Sequence, residues 1–277
     1  MGCIKKPLLN FLDMISAVFI SFNYQDLNRE CLMTRMNREL SFENLNVMEF
    51  AIMLRNGVFL IPAFQRDFIW DMQNIINLWD SLYHFYPVGA ILYWDTDIRL
   101  NIHRKLGGYV VTAENETNGD NMGNRSYILD GQQRATALFF ALFGGKGKTK
   151  DMREFDYTLY FNAADASFFP ADEYNRRSLD INPAFLIRLG DVPRWPEDFH
   201  RKIKLEKGFR RKIGANLHQL GRVFSDYKLP LTRLKGFDIK AVCEVFERIN
   251  QEGRRLKSMD LLISRNFHNY SALVDWL

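Results

Sequence analysis

Cysteine is scarce in this chain: Cys3, Cys31 and Cys243 lie far apart among 277 residues and form no C-x-x-C pair. Neither a disulfide framework nor a zinc site is suggested, and a reducing cytoplasm is the simplest setting. The five histidines, His84, His103, His200, His218 and His268, show no H-x-x-x-H or H-x-H spacing, so each reads as a surface or core residue rather than a ligand. An excess of one charge is missing too. The formal net charge is only +4, and basicity alone does not argue for nucleic acid. No apolar run is long enough to cross a bilayer. Leu8 to Phe22 follows Lys5-Lys6 as a secretion signal would, but Asn10 and Asp13 interrupt it and no small-residue cleavage site follows. Met1-Gly2 lacks the Ser or Thr at position 6 that myristoylation needs. The segment reads as an N-terminal helix or extension, and the expectation is a cytoplasmic protein without membrane attachment.

What is present is apolar mass. At 47% hydrophobic and 14% aromatic residues, the chain can build one large core or two small ones. Ser41 is expected to open a helix with Val47, Phe50, Ala51 and Leu54 on one face, ended by Asn56-Gly57. Asp71 should cap a second helix with a stripe from Ile75 to Tyr86, which Pro87 terminates. Gly89 to Asp95 reads as a buried strand. Tyr109 to Thr112 reads as another strand, and the alternation Phe155, Tyr157, Leu159, Phe161 as a half-buried one. Leu229 to Leu234 fits a strand at a sheet edge or strand start because of Pro230, and Val242, Val245, Phe246 and Ile249 mark a helix. The expected organisation is α+β: an extension over 1–40, a mixed core over 41–160, and a mainly helical region over 161–277.

The most informative stretch runs from Tyr127 to Leu142. A short apolar strand breaks at Asp130-Gly131 and passes into a helix whose Ala135, Leu138, Phe139, Leu142 and Phe143 share one stripe. The stripe is expected to anchor the helix and leave its N-terminus facing solvent. There, unpaired backbone N–H groups and the helix dipole favour an anion. Asp130, Gln132, Gln133 and Arg134 crowd that end with polar groups, although Asp130 as a plain cap and Gly131 as a turn residue would also account for the pattern. The later Gly144-Gly145-Lys146-Gly147-Lys148-Thr149 is not a P-loop. The position five before Gly147 is Leu142, and the segment follows a helix.

Two further polar clusters stand in apolar settings. Gln65-Arg66 lies between Phe64 and Phe68-Ile69-Trp70, so aromatic anchors would fix a loop presenting one amide and one guanidinium, the group suited to bidentate phosphate contact. Asn250 follows Arg248 at a helix end. Separately, Arg201, Lys202, Lys204, Lys207, Arg210, Arg211 and Lys212 interleave with Phe199, Ile203, Leu205, Phe209 and Ile213. This basic amphipathic stretch fits either a solvated helix face or a nucleic-acid-facing surface.

Together the clusters resemble the N-terminal domain family of the GmrSD type IV restriction endonucleases. The matching words are Pro62-Ala63-Phe64-Gln65-Arg66 with Trp70, Asp130-Gly131-Gln132-Gln133-Arg134, and Phe246 through Asn250 with Gly253 and Leu256. Tyr86-Pro87-Val88-Gly89 is similar to the family's Tyr-Pro-Ile-Gly turn. The resemblance covers about Ser41 to Ser264. It implies a ParB/sulfiredoxin-like core, nucleotide binding and hydrolysis at the Asp130 to Arg134 site, and a role against foreign or modified DNA. Many members carry an HNH nuclease domain, whereas no His-centred nuclease motif follows Leu256 here. The chain then reads as a stand-alone regulatory subunit, a truncated gene or a fragment, and the expected partners are nucleotide, DNA and, for the first of these, a separate nuclease subunit.

The residues suggest a division of labour. Arg66 and Arg134 would grip the phosphates of a nucleoside triphosphate, with Gln65, Gly131 and Asn250 completing the pocket. Asp130 would hold Mg2+ or orient water, and Gln132 and Gln133 would position the nucleophile or a phosphate oxygen. Phosphoryl transfer needs mainly positioning and charge stabilisation, which this set can supply. The competing expectation is a non-catalytic DNA-binding sensor. A nuclease acting through Asp130 is disfavoured because one carboxylate rarely makes a metal site.

Overall fold

The computed structural model describes residues 38–103, 105–106, 109–110, 124–144, 146–148 and 154–249. Asn250, most of the expected extension over 1–40, and Gly253 and Leu256 lie outside the described residues. The elements in order are β1 (Glu39–Asn46), α1 (Val47–Arg55), β2 (Phe59–Leu60), α2 (Met72–Tyr83), β3 (Ile91–Thr96), β4 (Lys105–Leu106), β5 (Tyr109–Val110) and β6 (Arg125–Asp130). Then come α3 (Gln132–Phe143), β7 (Lys146–Lys148), β8 (Glu154–Asp156), β9 (Leu159–Asn162), β10 (Ser167–Pro170), α4 (Tyr174–Asp180) and β11 (Leu186–Arg188). The last are α5 (Phe199–Ile203), α6 (Arg211–Ser225), β12 (Lys228–Lys235) and α7 (Ile239–Ile249). The architecture is α+β.

The main sheet has the strand order β1-β12-β3-β6-β2. β12 runs antiparallel to β1 and parallel to β3, β3 is antiparallel to β6, and β6 is parallel to β2. β12 comes from the expected helical region yet lies inside the sheet of the expected mixed core. One continuous apolar cluster runs from Val47 to Val242, so residue 160 marks no break in the core. Pro230 is not on an edge strand. It pairs with Asn44 of β1, and the pairing with β3 begins only at Leu231, so its missing N–H costs no ladder bond on that side.

Several boundaries differ from expectation for local reasons. Ser41 belongs to β1, and the helix starts at Val47 because the Asn46 side chain accepts the Glu49 N–H at 2.7 Å. Asp71 does cap α2, in a reciprocal capping box with Asn74. That helix stops at Tyr83, where Phe85 adopts a positive φ of 59°, which leaves Tyr86 exposed beyond it. The strand expected through Tyr157 is two strands, β8 and β9. Asp156 turns the chain between them by accepting the Thr158 N–H at 2.9 Å. The basic stretch is likewise two helices, α5 and α6, joined by a turn with Gly208 at φ 86°. No helix among the described residues is long and apolar enough to cross a membrane.

Charge also ties the sheet together. Arg233 of β12 pairs with the buried Asp95 of β3 and lies 3.9 Å from Glu43 of β1. Glu43 accepts the Tyr93 hydroxyl at 2.9 Å. Burial first, and then the Glu43 carboxylate, push the Tyr93 phenol well above its ordinary value. Removing one member of such a group leaves the others uncompensated. Asp95→Asn should therefore lower unfolding free energy by about 1–3 kcal/mol, less than a fully buried pair because Glu43 still faces Arg233. Chemical denaturation of the two proteins measures the difference.

Candidate functional site

The motifs of the first and second polar clusters meet at the junction of β6 and α3. Gly131 makes the turn with φ 87°, and a Cβ there would approach Ile91 Cγ1 to 3.1 Å. As the N-cap, Gly131 offers no side chain to the helix, so Asp130 is not a cap. The N–H groups of Gln132, Gln133 and Arg134 have no hydrogen-bond acceptor among the described residues, whereas Ala135 N–H bonds Gly131 O at 2.9 Å. The helix is not the amphipathic, solvent-ended one the sequence suggested. Ala135 to Leu142 are all buried, and Gly131, Gln132 and Gln133 are buried too, beside the loop of residues 62–70.

That loop is hung on glutamines. Gln132 Nε2 donates to Arg66 O at 2.8 Å, and Gln133 Nε2 donates to Asp67 O at 3.1 Å. Ile69 N–H returns a bond to Gln133 Oε1 at 2.9 Å, so one carboxamide pairs with the loop as a neighbouring strand would. Gln65 points the other way and donates to Ile128 O and, at 3.2 Å, to Leu129 O of β6. His103 Nε2 lies 3.0 Å from Gln65 O and fixes the residue from outside. Aromatic anchors complete the attachment as expected. Phe68 meets Phe140 of α3 edge-on at 5.0 Å and Tyr157 at 5.5 Å, and Phe64 meets Phe246 of α7 at 5.8 Å. The Phe246 contact brings the third motif's helix to the same place.

Arg134 faces away from the loop and ties a different turn. Its guanidinium donates to Val88 O at 2.7 Å, Ala90 O at 2.9 Å and Asp130 Oδ2 at 3.0 Å. Those bonds require the glycine between the two carbonyls. Gly89 holds φ 82°, and a Cβ on it would fall 2.0 Å from Arg134 Nη1. The Tyr86-Pro87-Val88-Gly89 turn and the Asp130 to Arg134 word are thus two halves of one clamp. Three of the five guanidinium N–H groups are used, and Asp130 keeps a half-exposed carboxylate with one oxygen engaged.

Arg66 is the contrast. It is exposed, and its side chain has no hydrogen bond or ion pair among the described residues. Its neighbour Asp67, also exposed, adds a carboxylate to the same loop that the sequence motifs did not single out. His103 was likewise not legible as a site residue, because its role is to hold a main-chain carbonyl across 38 residues of sequence. Among the described residues no three His, Cys, Asp or Glu side chains gather as a metal cluster. The basic residues stand apart from this junction, on α5, α6 and the turn between them. Arg201 and Lys202 are paired with Asp198, at 3.5 and 2.9 Å, whereas Lys204, Lys207, Arg210, Arg211 and Lys212 have no ion pair among the described residues.

A mixed α+β domain whose central helix begins at a glycine turn and carries a loop on its first side chains is the class this geometry defines. The chain belongs to the family of the GmrSD restriction endonuclease N-terminal domain, whose family model matches residues 49–267. It is also similar to an uncharacterized protein, MJ0686, of Methanocaldococcus jannaschii, at 26% identity over 262 residues. That match takes in 85% of this chain, which spans only 43% of the relative's length.

Two substitutions separate the clamp from the loop attachment. Gly89→Ala should cost about 1–3 kcal/mol by straining the turn and evicting the Arg134 guanidinium. The Gly89→Ala/Arg134→Ala double variant should cost clearly less than the sum of the singles, which a double-mutant cycle in urea reads directly. Gln133→Leu should strand the Ile69 N–H and Asp67 O, with a loss of about 1–3 kcal/mol, and speed proteolytic cleavage within residues 62–70.

Proposed function

We propose that the β6–α3 junction binds the phosphates of a nucleoside triphosphate and supports its hydrolysis, and that the chain is a nucleotide-dependent sensor component of restriction directed at foreign or modified DNA. The observation that carries this reading is the pairing of unaccepted N–H groups at a glycine-capped helix start with an exposed, unpaired Arg66 on the loop hung from that same start. Both groups favour a phosphate. Gln132 and Gln133 then act as positioning residues, since their carboxamides already hold the loop. Arg134, committed to the Val88 and Ala90 carbonyls and to Asp130, acts by holding the turn behind the helix start.

Magnesium fits in a limited way. It commonly takes one or two carboxylates and fills its remaining positions with water and substrate phosphates. Asp130, half-exposed and with one oxygen engaged by Arg134, can give one such ligand. The ion would therefore arrive with the triphosphate, and bound there it would neutralise charge on the transferring phosphoryl group. Cleavage of DNA falls on this reading to a nuclease module outside the described residues.

The decisive measurements are binding of a fluorescent nucleotide and release of phosphate. Arg66→Ala should weaken binding by roughly 10- to 100-fold while leaving the melting temperature unchanged, because that side chain supports nothing in the fold. Asp130→Asn should retain binding and lose turnover. Wild-type affinity and turnover in both variants would remove the nucleotide from this junction.

A further inference from the structure

Between α5 and the first turns of α6 lies a half-open cleft of about 390 Å³, a volume within the range of small-ligand sites. The polar side chains lining it are His200, Lys204, Arg211 and His218, with no carboxylate among the lining residues. Lys204 and Arg211 have no ion pair among the described residues, in contrast to Arg201, Lys202 and Arg222 close by, which Asp198 and Asp226 neutralise. The two imidazoles lie 6.4 Å apart, and His200 packs edge-on against Trp195 and Phe199, themselves stacked at 4.1 Å. Burial, and after it the fields of His218 and Lys204, lower the His200 pKa, so the cleft already works against its own positive charge. Phe209 supplies an aromatic wall. Its ring lies so close to α6 that a Cβ on Gly214 would come within 3.2 Å of it.

Two exposed cations without an ion pair, set with two imidazoles around one concave surface that has no carboxylate in its lining, favour an anion, and an aromatic wall beside them suits a planar group. We propose that this cleft binds a phosphate group carrying a nucleobase, with the phosphate among Lys204, Arg211 and the histidines and the base against Phe209. The phosphate belongs either to a DNA strand or to a free nucleotide, and the chemistry is shared. The site is separate from the β6–α3 junction and stands whether or not that junction binds nucleotide.

The test uses the whole chain with two probes, a fluorescent single-stranded DNA and a fluorescent nucleoside triphosphate, the latter with Arg66→Ala also present so that the junction contributes little. Lys204→Ala/Arg211→Ala is compared with Lys228→Ala/Lys240→Ala, which removes equal charge from β12 and α7. A loss of roughly tenfold or more in the first pair, against about twofold or less in the second, supports the site. Loss in the DNA arm assigns a strand phosphate, with the salt dependence flattened by about 0.7 per contact removed, and loss in the nucleotide arm assigns the free ligand. Phe209→Leu should weaken the same probe several-fold while leaving competition by inorganic phosphate unchanged. Equal losses in the two paired variants, or no binding of either probe by wild type, overturn the proposal.

Discussion

A loop that belongs to no helix or sheet must still satisfy its peptide groups, and in this fold glutamine carboxamides do so. Every main-chain hydrogen bond made by residues 66–70 among the described residues goes to Gln132 or Gln133. A carboxamide suits the task because it carries a donor and an acceptor in the plane and spacing of a peptide group. Carboxylates could accept from Ile69 but not donate to Asp67 O, and shorter amides would not span the gap at the same backbone positions. The Asp-Gly-Gln-Gln-Arg word is therefore first a piece of architecture. Its glycine makes the turn, its glutamines hold one loop, and its arginine holds another turn on the opposite side.

The same economy explains why the helix is buried on every side. Aromatic residues of distant segments close around α3, with Phe68 and Tyr157 on Phe140 and the α3 backbone carbonyl of Leu142 so near Gly190 that no side chain fits there. Packing of this density fixes the helix axis to within small displacements. A first turn held that firmly keeps its three open N–H groups in place without any ligand, which is the preorganisation that electrostatic binding of a phosphate requires.

Much of this was legible from residue patterns, and the exceptions share a cause. Asp71, Asn56-Gly57 and the Gly131 break are local signals, and the structure follows them because capping and turn chemistry act within four residues. Ser41 reads as a helix opener but lies in a strand, because a strand with half-buried alternation abuts a helix cap at Asn46 and periodicity alone does not place the boundary. Pro230 argues for an edge or a strand start; β12 is interior, and Pro230 stands near its start, one residue before the pairing with β3 begins. The inward turn of Gln65, the part played by His103 and the union of Arg134 with Gly89 depend on contacts across 38 to 64 residues or on a φ angle, and no spacing rule announces them. The basic stretch was visible as composition, but its division by Gly208 into two helices, and the cleft that results, were not.

On the nucleotide reading, the arrangement of α3 couples binding to the loop without any further device. The residues whose N–H groups face the phosphate are the residues whose side chains suspend Arg66 to Ile69. An anion on the first turn of α3 draws Arg66 toward it, and because the helix is held still the movement falls on the loop main chain suspended from those carboxamides. Arg66, on that loop, is at the same time a direct contact. Binding energy is then divided between the helix end and the arginine, and each is strengthened when the other is in place, because the loop entropy lost on ordering is lost once. Clamping Arg134 to the Val88 and Ala90 carbonyls holds the opposite side of the turn still, so that displacement is directed into the loop and not into β6. A junction fixed on one side and suspended on the other is the geometry by which the presence of a terminal phosphate can be passed to a partner surface.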